Sequence, residues 1–332
     1  MKKTLLTAIL LVLFCRCNTP HSPTVFDGFT QGTTFHIVIR DAVDPAIEGD
    51  IDSLFRQAEA SLSLFDPASL LARLNANQTD TVDSWVADCI RLAEAFSRQT
   101  DGLFDITVKP LTSAYGFAGE GRDSLPNIDS LLREVGYEKI RLEGNRLIKA
   151  TPGVQIDLNA VAQGYTVDRL VRHFDSLGLQ NYIVEMGGEI FARGMSARDD
   201  RWIVGIDSPT EGNITPGVDL QVRLRLSGRG LATSGNYRKF YEDPAGRKIV
   251  HTIDPKTGQP VISRILSVTV IAPDAATADM YGTYFMVAGV EKTAGFLNRH
   301  PEVDAYVIYT DPGSDAPQIM VTPGIEIVKS TE

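Results

Sequence analysis

Residues 156–168 read Ile-Asp-Leu-Asn-Ala-Val-Ala-Gln-Gly-Tyr-Thr-Val-Asp, and this stretch decides how the middle of the chain folds. Its first residues have the character of a strand end, and a helical pattern follows from about residue 160 to residue 177. Main-chain groups beside a glycine can approach a ligand closely, and a helix N-terminus favours anions. A plain strand-to-helix turn capped by Asn159 would account for the same residues. The stretch therefore predicts a strand that runs into a helix and leaves ligand binding open.

Helices dominate the first half of the chain and strands the second half. This order predicts an α+β fold with mostly antiparallel sheets and helices packed against them. The predicted helices cover residues 47–65, 84–99, 127–135, 160–177, 275–287 and 290–299. The predicted strands cover residues 32–40, 182–186, 202–206, 220–226, 248–253, 266–272 and 304–309, with a hairpin over 139–150 that turns at 143–145.

The start of the chain has the features of an export signal. A charged start over residues 1–3 precedes an apolar run over residues 5–14, which is shorter than a membrane-spanning helix. Cys15 and Cys17 follow, where this run gives way to the polar residues 18–23. A bacterial lipoprotein carries its acylated cysteine at this place, although a signal peptide that merely contains cysteines would look the same.

We therefore expect a lipoprotein signal peptide over residues 1–17, with Cys17 lipidated and Cys15 as the alternative. A tether over 18–24 and a single domain over 25–332 would follow. The predicted location is the periplasmic side of a membrane, and the inner membrane is favoured. No later stretch is apolar enough to span a membrane, so the remainder is expected to be water-soluble.

Composition limits the classes of function. A formal net charge of −10 argues against binding to nucleic acid, because polyanions need a basic surface. A phosphate-ester substrate would need a metal ion to offset the repulsion. Hydrophobic residues make up 43% of the chain, which can bury a substantial core. Cys89 lies in a helical pattern with Trp85, Leu92 and Phe96, and this spacing is typical of a core residue.

Glycine stands beside polar residues in further segments, at residues 100–107, 231–237, 251–258 and 278–283. Asp-Gly in the first of them and Asp-Pro-Lys-Thr-Gly in the third are also ordinary turn sequences. Each segment alone is therefore a weak signal for a functional site.

His251, Asp279 and Thr283 are the side chains in these segments with the clearest chemistry. His251 lies in a predicted strand, where alternation places it opposite Thr252, and we regard it as the candidate catalytic histidine, although a lone histidine is more often structural. Asp279 and Thr283 are four residues apart, so both oxygens project from one helical face and could bind a hard cation. A solvated helix face would also carry such a pair.

Taken together and in this order, the segments resemble the ApbE family of FAD:protein FMN transferases over about residues 32–310. The matching patterns are Gly-x-Phe-Asp-x-Thr at 102–107, Asp-Leu-Asn-x-x-Ala-x-Gly-Tyr-x-x-Asp at 157–168, Met-Gly-Gly at 186–188, Thr-Ser-Gly-x-Tyr at 233–237, His-x-Ile-Asp-Pro-x-Thr-Gly at 251–258 and Ala-Asp-x-x-x-Thr at 278–283. Each pattern is weak alone, but six ordered matches are hard to obtain by chance.

The resemblance implies a site for FAD as substrate and for Mg²⁺. The implied metal ligands are the main-chain carbonyl of Ala162 and the side chains of Asp279 and Thr283, an oxygen-only set that suits magnesium rather than zinc. The implied FAD-binding residues are Gln31, Phe65, Leu103, Phe104, Asp105, Tyr165 and Ile253. The loop over 31–34 is expected to cover the flavin, and Gly187 and Gly188 to let main chain pass close to the nucleotide.

The chain departs from the family pattern at two positions. Gln31 stands where the family usually has methionine, which alters the expected contacts with the flavin. Gln163 stands where the family usually has lysine, which removes a cation near the phosphates.

The resemblance implies phosphoryl transfer, in which a threonine or serine hydroxyl of a client protein attacks the FMN phosphorus of FAD and AMP leaves. We interpret His251 as the base that removes the hydroxyl proton, because imidazoles ordinarily titrate near pH ~6.5. The implied clients are membrane-associated redox subunits, such as those of sodium-pumping quinone reductases. Two alternatives are a magnesium-dependent FAD pyrophosphatase, which would use water as the nucleophile, and a lipoprotein that binds flavin without turnover.

Overall fold

The computed structural model describes residues 22–117, 127–210, 212–213, 215, 217–236, 240–242, 246, 248–261, 263–314 and 316–329. The predicted signal peptide, with Cys15 and Cys17, lies outside these residues, as do most of the predicted tether and Tyr237 of the fourth sequence pattern. Among the described residues, no helix has the length and apolar character needed to cross a membrane.

The described residues form fourteen strands and seven α-helices. The strands are β1 (Thr24–Thr30), β2 (Thr33–Ile39), β3 (Ile140–Glu143), β4 (Arg146–Lys149), β5 (Tyr182–Met186), β6 (Glu189–Arg193), β7 (Trp202–Asp207), β8 (Leu220–Leu226), β9 (Arg229–Gly235), β10 (Phe240–Glu242), β11 (Lys248–Val250), β12 (Ile265–Ala272), β13 (Asp304–Thr310) and β14 (Pro317–Val321). The helices are α1 (Ile47–Leu62), α2 (Leu70–Asn75), α3 (Ser84–Gln99), α4 (Lys109–Ala114), α5 (Ile128–Leu132), α6 (Ala162–Ser176) and α7 (Ala275–Leu297).

Eight of the strands form one sheet in the order β1-β2-β5-β6-β9-β12-β13-β14. Every neighbouring pair in this sheet is antiparallel. The remaining strands form the two-stranded sheets β3-β4, β7-β8 and β10-β11. The predicted α+β class with mostly antiparallel sheets is therefore confirmed.

Both faces of the large sheet are covered. Phe55 of α1 and Phe174 of α6 share a buried cluster with Val184 of β5. Trp202 of the β7-β8 ribbon shares another buried cluster with Ile183, the preceding residue of β5. Adjacent residues of β5 thus face opposite layers, which explains why this strand shows no alternation of apolar and polar residues.

A further cluster packs α3 against α7. Asp83 accepts a hydrogen bond from the N–H of Val86 at 2.9 Å and caps the start of α3. Along the buried face of this helix, Phe96 meets Tyr281 of α7 edge-on, with 4.7 Å between ring centroids. Cys89 on the same face is fully buried, which confirms its prediction as a core residue.

Several predicted elements have different bounds in the structure. The strand end predicted before α6 is not a strand, because residues 154–158 pair with no other strand among the described residues, and the N-cap of α6 is Val161 rather than Asn159. The helix predicted over 47–65 ends at Leu62, because Ser63 is extended with ψ of 130°. The helices predicted over 275–287 and 290–299 belong to one element, α7, which is interrupted at Gly289. The φ of 78° at Gly289 lies in the left-handed region, which glycine adopts without a steric penalty.

The centre of the large sheet was the weakest part of the prediction. No predicted strand covers β6 or β9, and β9 reads Arg-Gly-Leu-Ala-Thr-Ser-Gly without apolar alternation. Its strand conformation comes from pairing with β6 and β12 on either side. Strands β1, β10 and β14 and helices α2 and α4 also have no predicted counterpart.

Candidate active site

The first turns of α6 and α7 touch. A Cβ atom on Gly164 would lie 2.6 Å from the carbonyl oxygen of Ala275 and 2.7 Å from Cα of Ala276, so any larger residue would push the two helices apart. Glycine is therefore required at this position by close approach of the backbones. The sequence signal for a special glycine at residue 164 has this packing as its physical cause.

The two helices cap each other. Asp168 of α6 accepts hydrogen bonds from the N–H groups of Ala275 (2.9 Å) and Ala276 (3.0 Å) at the start of α7. The N–H of Gly164 at the start of α6 interacts with the carboxylate of Asp279 on α7 and lowers its pKa. The Asp168 carboxylate thus satisfies two free N–H groups of α7, and both carboxylates lie at the N-terminus of the opposite helix.

Asp279 keeps one oxygen without a protein partner. The residue is 6% exposed, and its Oδ2 atom is buried with no hydrogen-bond partner among the described residues. Burial raises the pKa of Asp279 to about 7, the Gly164 N–H opposes the rise, and the charge of Asp168 adds to it. Burial likewise raises the pKa of Asp168 to about 7, together with the charge of Asp274 and against the helix N–H bonds. A bare carboxylate oxygen in such a place is suited to a cation.

Thr283 and Ala162 are the other two predicted metal ligands. Thr283 is half-buried one helical turn after Asp279, so both side chains lie on the same face of α7. Ala162 is the first residue of α6, two positions before the Gly164 that binds Asp279. Its carbonyl oxygen accepts a hydrogen bond from Thr166 Oγ1 at 2.8 Å.

Strand β9 brings the Thr-Ser-Gly segment against the same helix. A Cβ atom on Gly282 would lie 2.6 Å from Ser234 Oγ, so this strand and α7 are in close contact beside Thr283. Thr233 Oγ1 is 2.8 Å from Thr269 Oγ1 on the neighbouring strand β12. The structure therefore unites two sequence patterns that are separated by more than forty residues.

The tip of the β1-β2 hairpin reaches the start of α6. Its two central residues, Gln31 and Gly32, have φ of 48° and 76°, which is the backbone of a type I′ hairpin turn. Gln31 Nε2 donates to Thr166 Oγ1 at 3.0 Å. A Cβ atom on Gly187 would lie 3.0 Å from Thr33 and 3.2 Å from Gln163 Nε2. The hairpin tip, the Gly187–Gly188 turn and the first turn of α6 therefore converge.

The segments at 101–107 and 251–258 also meet. Lys256 Nζ contacts Asp101 Oδ2 at 2.9 Å. A cleft of about 460 Å³ lies between these segments and residues 132–138. Asp105 connects the segment at 101–107 to residues 132–138 across this cleft. Its carboxylate accepts hydrogen bonds from the N–H and hydroxyl of Thr107 and from the N–H of Tyr137.

His251 lies just beyond β11 and is half-buried. The strand predicted over 248–253 ends at Val250, so the expected alternation does not extend to His251. The His251 ring lies edge-on to Phe117, with 6.3 Å between centroids. The next residue, Thr252, donates to Asn236 Oδ1 at 2.9 Å, which ties the histidine segment to the end of β9.

Several predicted FAD-binding side chains are packed inside the protein. Tyr165 is fully buried, and its hydroxyl donates to Asp88 at 2.7 Å. Phe104 is 2% exposed and packs edge-on against Phe96. Ile253 is 6% exposed, whereas Leu103 is half-buried and Phe65 is 65% exposed. Among these five side chains, Phe65 and then Leu103 offer most surface to a ligand in this conformation.

Three residues near the site were not predicted from the sequence as members of it. Glu59 Oε1 accepts from Thr30 Oγ1 and from the N–H of Gln31, both at 3.0 Å. Thr166 lies between Gln31 and Ala162. Thr166 follows Ala162 by four residues on a predicted helix, and this spacing could have indicated the contact. No local signal marks Glu59. Ser234 lies in the Thr-Ser-Gly-x-Tyr pattern at 233–237, but only tertiary contacts bring it beside α7.

A larger cleft of about 670 Å³ lies between residues 74–80 and 147–152. It is lined by none of the predicted site residues. Lys149 forms part of its wall, where its Nζ donates to the carbonyl of Leu74 and to Asn77 Oδ1. This cleft is therefore separate from the convergence of α6, α7 and the β1-β2 hairpin.

Comparisons with known proteins agree with the geometry. The model of the ApbE family matches residues 31–307. An FAD:protein FMN transferase from Haemophilus influenzae is 34% identical over 303 residues, 86% of this chain and 86% of that protein. One of the same description from Vibrio cholerae is 30% identical over 324 residues, 94% of this chain and 96% of that protein.

Solved structures show the same fold. The flavin transferase ApbE from Vibrio cholerae has a TM-score of 0.79 at 28% identity, and the match covers 91% of this chain and 97% of that one. The apo form of the Pseudomonas stutzeri flavinyl transferase ApbE has a TM-score of 0.80 at 29% identity, with 91% and 95% covered.

Proposed function

The chain belongs to the ApbE family, and we propose that it is an FAD:protein FMN transferase whose divalent cation is held by Asp279, Thr283 and the main-chain carbonyl of Ala162. The observation that carries the activity is the match over most of the chain to relatives named for it, at 30–34% identity. The chain is thus a transferase that acts on FAD and on an acceptor flavoprotein.

The donor set fits a hard cation that is only partly held by protein. Among the described residues, no group of three or more His, Cys, Asp or Glu side chains could hold a metal. One carboxylate, one hydroxyl and one carbonyl leave room for phosphate oxygens and water, which is how proteins usually bind Mg²⁺. The buried, unpartnered Oδ2 of Asp279 supports this assignment, since a bound cation would satisfy it.

In the proposed reaction an acceptor hydroxyl attacks the phosphorus of the FMN half of FAD, the bond to the AMP phosphate breaks, and AMP leaves. A bound Mg²⁺ supplies charge stabilisation for the pyrophosphate in such a transfer. The N–H of Gly164 at the start of α6 favours the ionised form of the Asp279 carboxylate, which is the form that binds a cation. The Gly187–Gly188 turn offers main chain without side chains beside the same helix start, where close approach of a nucleotide is feasible.

His251 is the proposed base for the acceptor hydroxyl. Its support is positional: Thr252 is tied to Asn236 at the end of β9, and Ser234 of that strand contacts α7 at Gly282. The histidine segment is therefore connected through one strand to the helix that carries Asp279. General-base catalysis of this kind contributes about 10²–10⁴-fold to a rate.

The decisive assay combines the protein with FAD, Mg²⁺ and an acceptor flavoprotein, followed by intact mass of the acceptor and nucleotide analysis. We expect a mass gain of one FMN phosphodiester with release of AMP, and loss of both with Asp279→Ala or with chelator. Asp52→Asn, an exposed change on α1, is the matched control and should transfer normally. His251→Gln should bind FAD and lose most of the transfer rate.

Other products would assign another function. AMP and free FMN without acceptor modification would identify an FAD pyrophosphatase, and unchanged FAD would identify a flavin-binding protein. If Asp279→Ala kept full activity, the proposed cation site would be wrong. If His251→Gln did so, the proposed base would be wrong.

The proposed setting is a membrane lipoprotein, anchored through Cys17 and facing the periplasm. Its support is the apolar run and cysteine pair at the start of the sequence. The proposed acceptors are redox subunits with a threonine or serine acceptor on the same side of the membrane. Metabolic labelling with palmitate, lost on Cys17→Ser and kept on Cys15→Ser, tests the anchor.

A further inference from the structure

A chain of hydrogen bonds links the hairpin tip to the proposed cation site. Gln31 Nε2 donates to Thr166 Oγ1 at 3.0 Å, and Thr166 Oγ1 donates to the carbonyl oxygen of Ala162 at 2.8 Å. A threonine hydroxyl has one proton. Because that proton is directed at Ala162, the hydroxyl oxygen can only accept a hydrogen bond from Gln31. The donor and acceptor of each hydrogen bond in this series are therefore fixed.

The Thr166 hydroxyl competes with a cation for Ala162. The carbonyl lies in the first turn of α6 and accepts the helical N–H four residues later, so the hydroxyl proton occupies its remaining side. A cation on this oxygen would face that proton, which carries partial positive charge. Cation binding therefore requires the hydroxyl of Thr166 to turn away from Ala162.

The displaced hydroxyl needs another acceptor. Thr166 is fully buried, so bulk water does not reach it. A buried hydroxyl without an acceptor costs roughly 1–3 kcal/mol. Gln31 is already in contact, and an amide can present its oxygen instead of its nitrogen after rotation of about 180°.

The hairpin turn does not depend on the orientation of this amide. The N–H of Gln31 and the hydroxyl of Thr30 both donate to Glu59 Oε1 at 3.0 Å. These bonds hold the left-handed backbone of Gln31, whose φ is 48°. The amide can therefore rotate while the turn keeps its place.

We propose that Gln31 is a positioning residue for the cation site, donating to Thr166 in the cation-free protein and accepting from Thr166 when a cation takes the Ala162 carbonyl. The inference rests on the proposed cation site. An apolar side chain at position 31 could not fill this role, because the role needs a group, such as an amide, that can both donate a hydrogen bond to Thr166 and accept one from it.

The test measures Mn²⁺ binding to the FAD-free protein by calorimetry and by the electron paramagnetic resonance of free Mn²⁺. Gln31→Met should weaken binding about tenfold, because the displaced hydroxyl is left without an acceptor. Thr166→Val lacks the hydroxyl and should bind at least as tightly as wild type. The double variant should bind like Thr166→Val, and this rescue is a result that a general loosening of the hairpin would not produce.

Thr166→Ser keeps the hydroxyl and is the matched control, with wild-type affinity expected. Gln31→Leu provides a second apolar variant if Gln31→Met folds poorly. Wild-type affinity in the Gln31 variants, or a double variant as weak as Gln31→Met, would overturn the proposal. If Asp279→Ala left Mn²⁺ binding unchanged, the proposed cation site would be wrong. If Asp279→Ala abolished Mn²⁺ binding while the Gln31 variants kept wild-type affinity, only the role proposed for Gln31 would be wrong.

Discussion

Asp168 and Asp279 are carboxylates that each lie at the N-terminus of the other's helix. Their environments differ, because both oxygens of Asp168 accept main-chain N–H groups, whereas Oδ2 of Asp279 accepts none among the described residues. Burial raises the pKa of both side chains to about 7. The fold therefore holds two poorly solvated carboxylates together, and a cation is the natural compensation at the one with a bare oxygen.

This arrangement predicts a pH dependence of stability. The pKa of Asp279 is about 7 in the folded protein and about 4 in the unfolded chain, so between these values the folded state binds more protons. Its contribution to the free energy of unfolding is then lost as pH rises from about 4 to about 7. Asp279→Asn carries no titrating group at this position, so it should not lose this contribution. From pH about 4 to pH about 7, its free energy of unfolding should rise relative to that of the wild type by more than about 1 kcal/mol.

Denaturant unfolding at several pH values, in chelator, measures the difference. Saturating Mg²⁺ should restore the advantage of the wild type near neutral pH, because the cation binds the folded carboxylate form. Asp52→Asn is the exposed control and should follow the wild type. A stability difference between Asp279→Asn and wild type that is constant with pH would contradict the assignment.

At the scale of elements, the crossing of α6 and α7 organises the site. Glycines at the contact points allow it: Gly164 meets the backbone at Ala275, Gly230 of β9 meets Asp274, and Gly282 meets Ser234. Each would place a Cβ atom within 2.6 Å of a neighbouring atom. The helices and the central strand are thus closer than ordinary side chains permit.

Gly164→Ala should therefore destabilise the protein, although alanine ordinarily favours a helix. The expected loss in the free energy of unfolding is roughly 1–3 kcal/mol, because the contact is with backbone that cannot move aside easily. Gly295→Ala, in the same pair of helices, has its nearest neighbour at 3.6 Å and should instead stabilise by about 0.5–1 kcal/mol. Denaturant titration of both variants checks the opposite signs, and equal effects would contradict this packing argument.

At the scale of the whole molecule, Cys89 reports on the integrity of the core. It is fully buried between α3 and its neighbours, and burial with the charges of Asp88 and Asp83 raises the pKa of its thiol. Both effects suppress the reactive thiolate. In a protein with Cys15 and Cys17 replaced by serine, alkylation of Cys89 should proceed only as the protein unfolds.

Mass spectrometry after iodoacetamide, across a denaturant series, measures this labelling alongside circular dichroism. The two transitions should coincide, since the residue belongs to the largest buried cluster of the described residues. Rapid labelling in native buffer would show that the α3 layer opens independently of the sheet.

Local patterns in the sequence were sufficient for much of the fold. The amphipathic spacing of α1, α3 and α6 and the Glu-Gly-Asn turn between β3 and β4 depend on neighbours within a few residues. The ordered glycine and polar patterns likewise identified the family, because each pattern is a short contiguous segment. The Asp279–Thr283 pair was predictable on the same basis, since one helical turn separates them.

The remaining features depend on contacts between residues that are distant in the sequence. Asp168 and Ala275 are 107 residues apart, and only the crossing of α6 and α7 brings them to hydrogen-bond distance. The same crossing buries Asp279 and raises its pKa, and pairing with β6 and β12 makes β9 a central strand. Local conformations and the chemical groups that are present follow from the order of the residues. The distances between those groups and their exposure to water depend on packing, and these two quantities set their charge and their possible ligands.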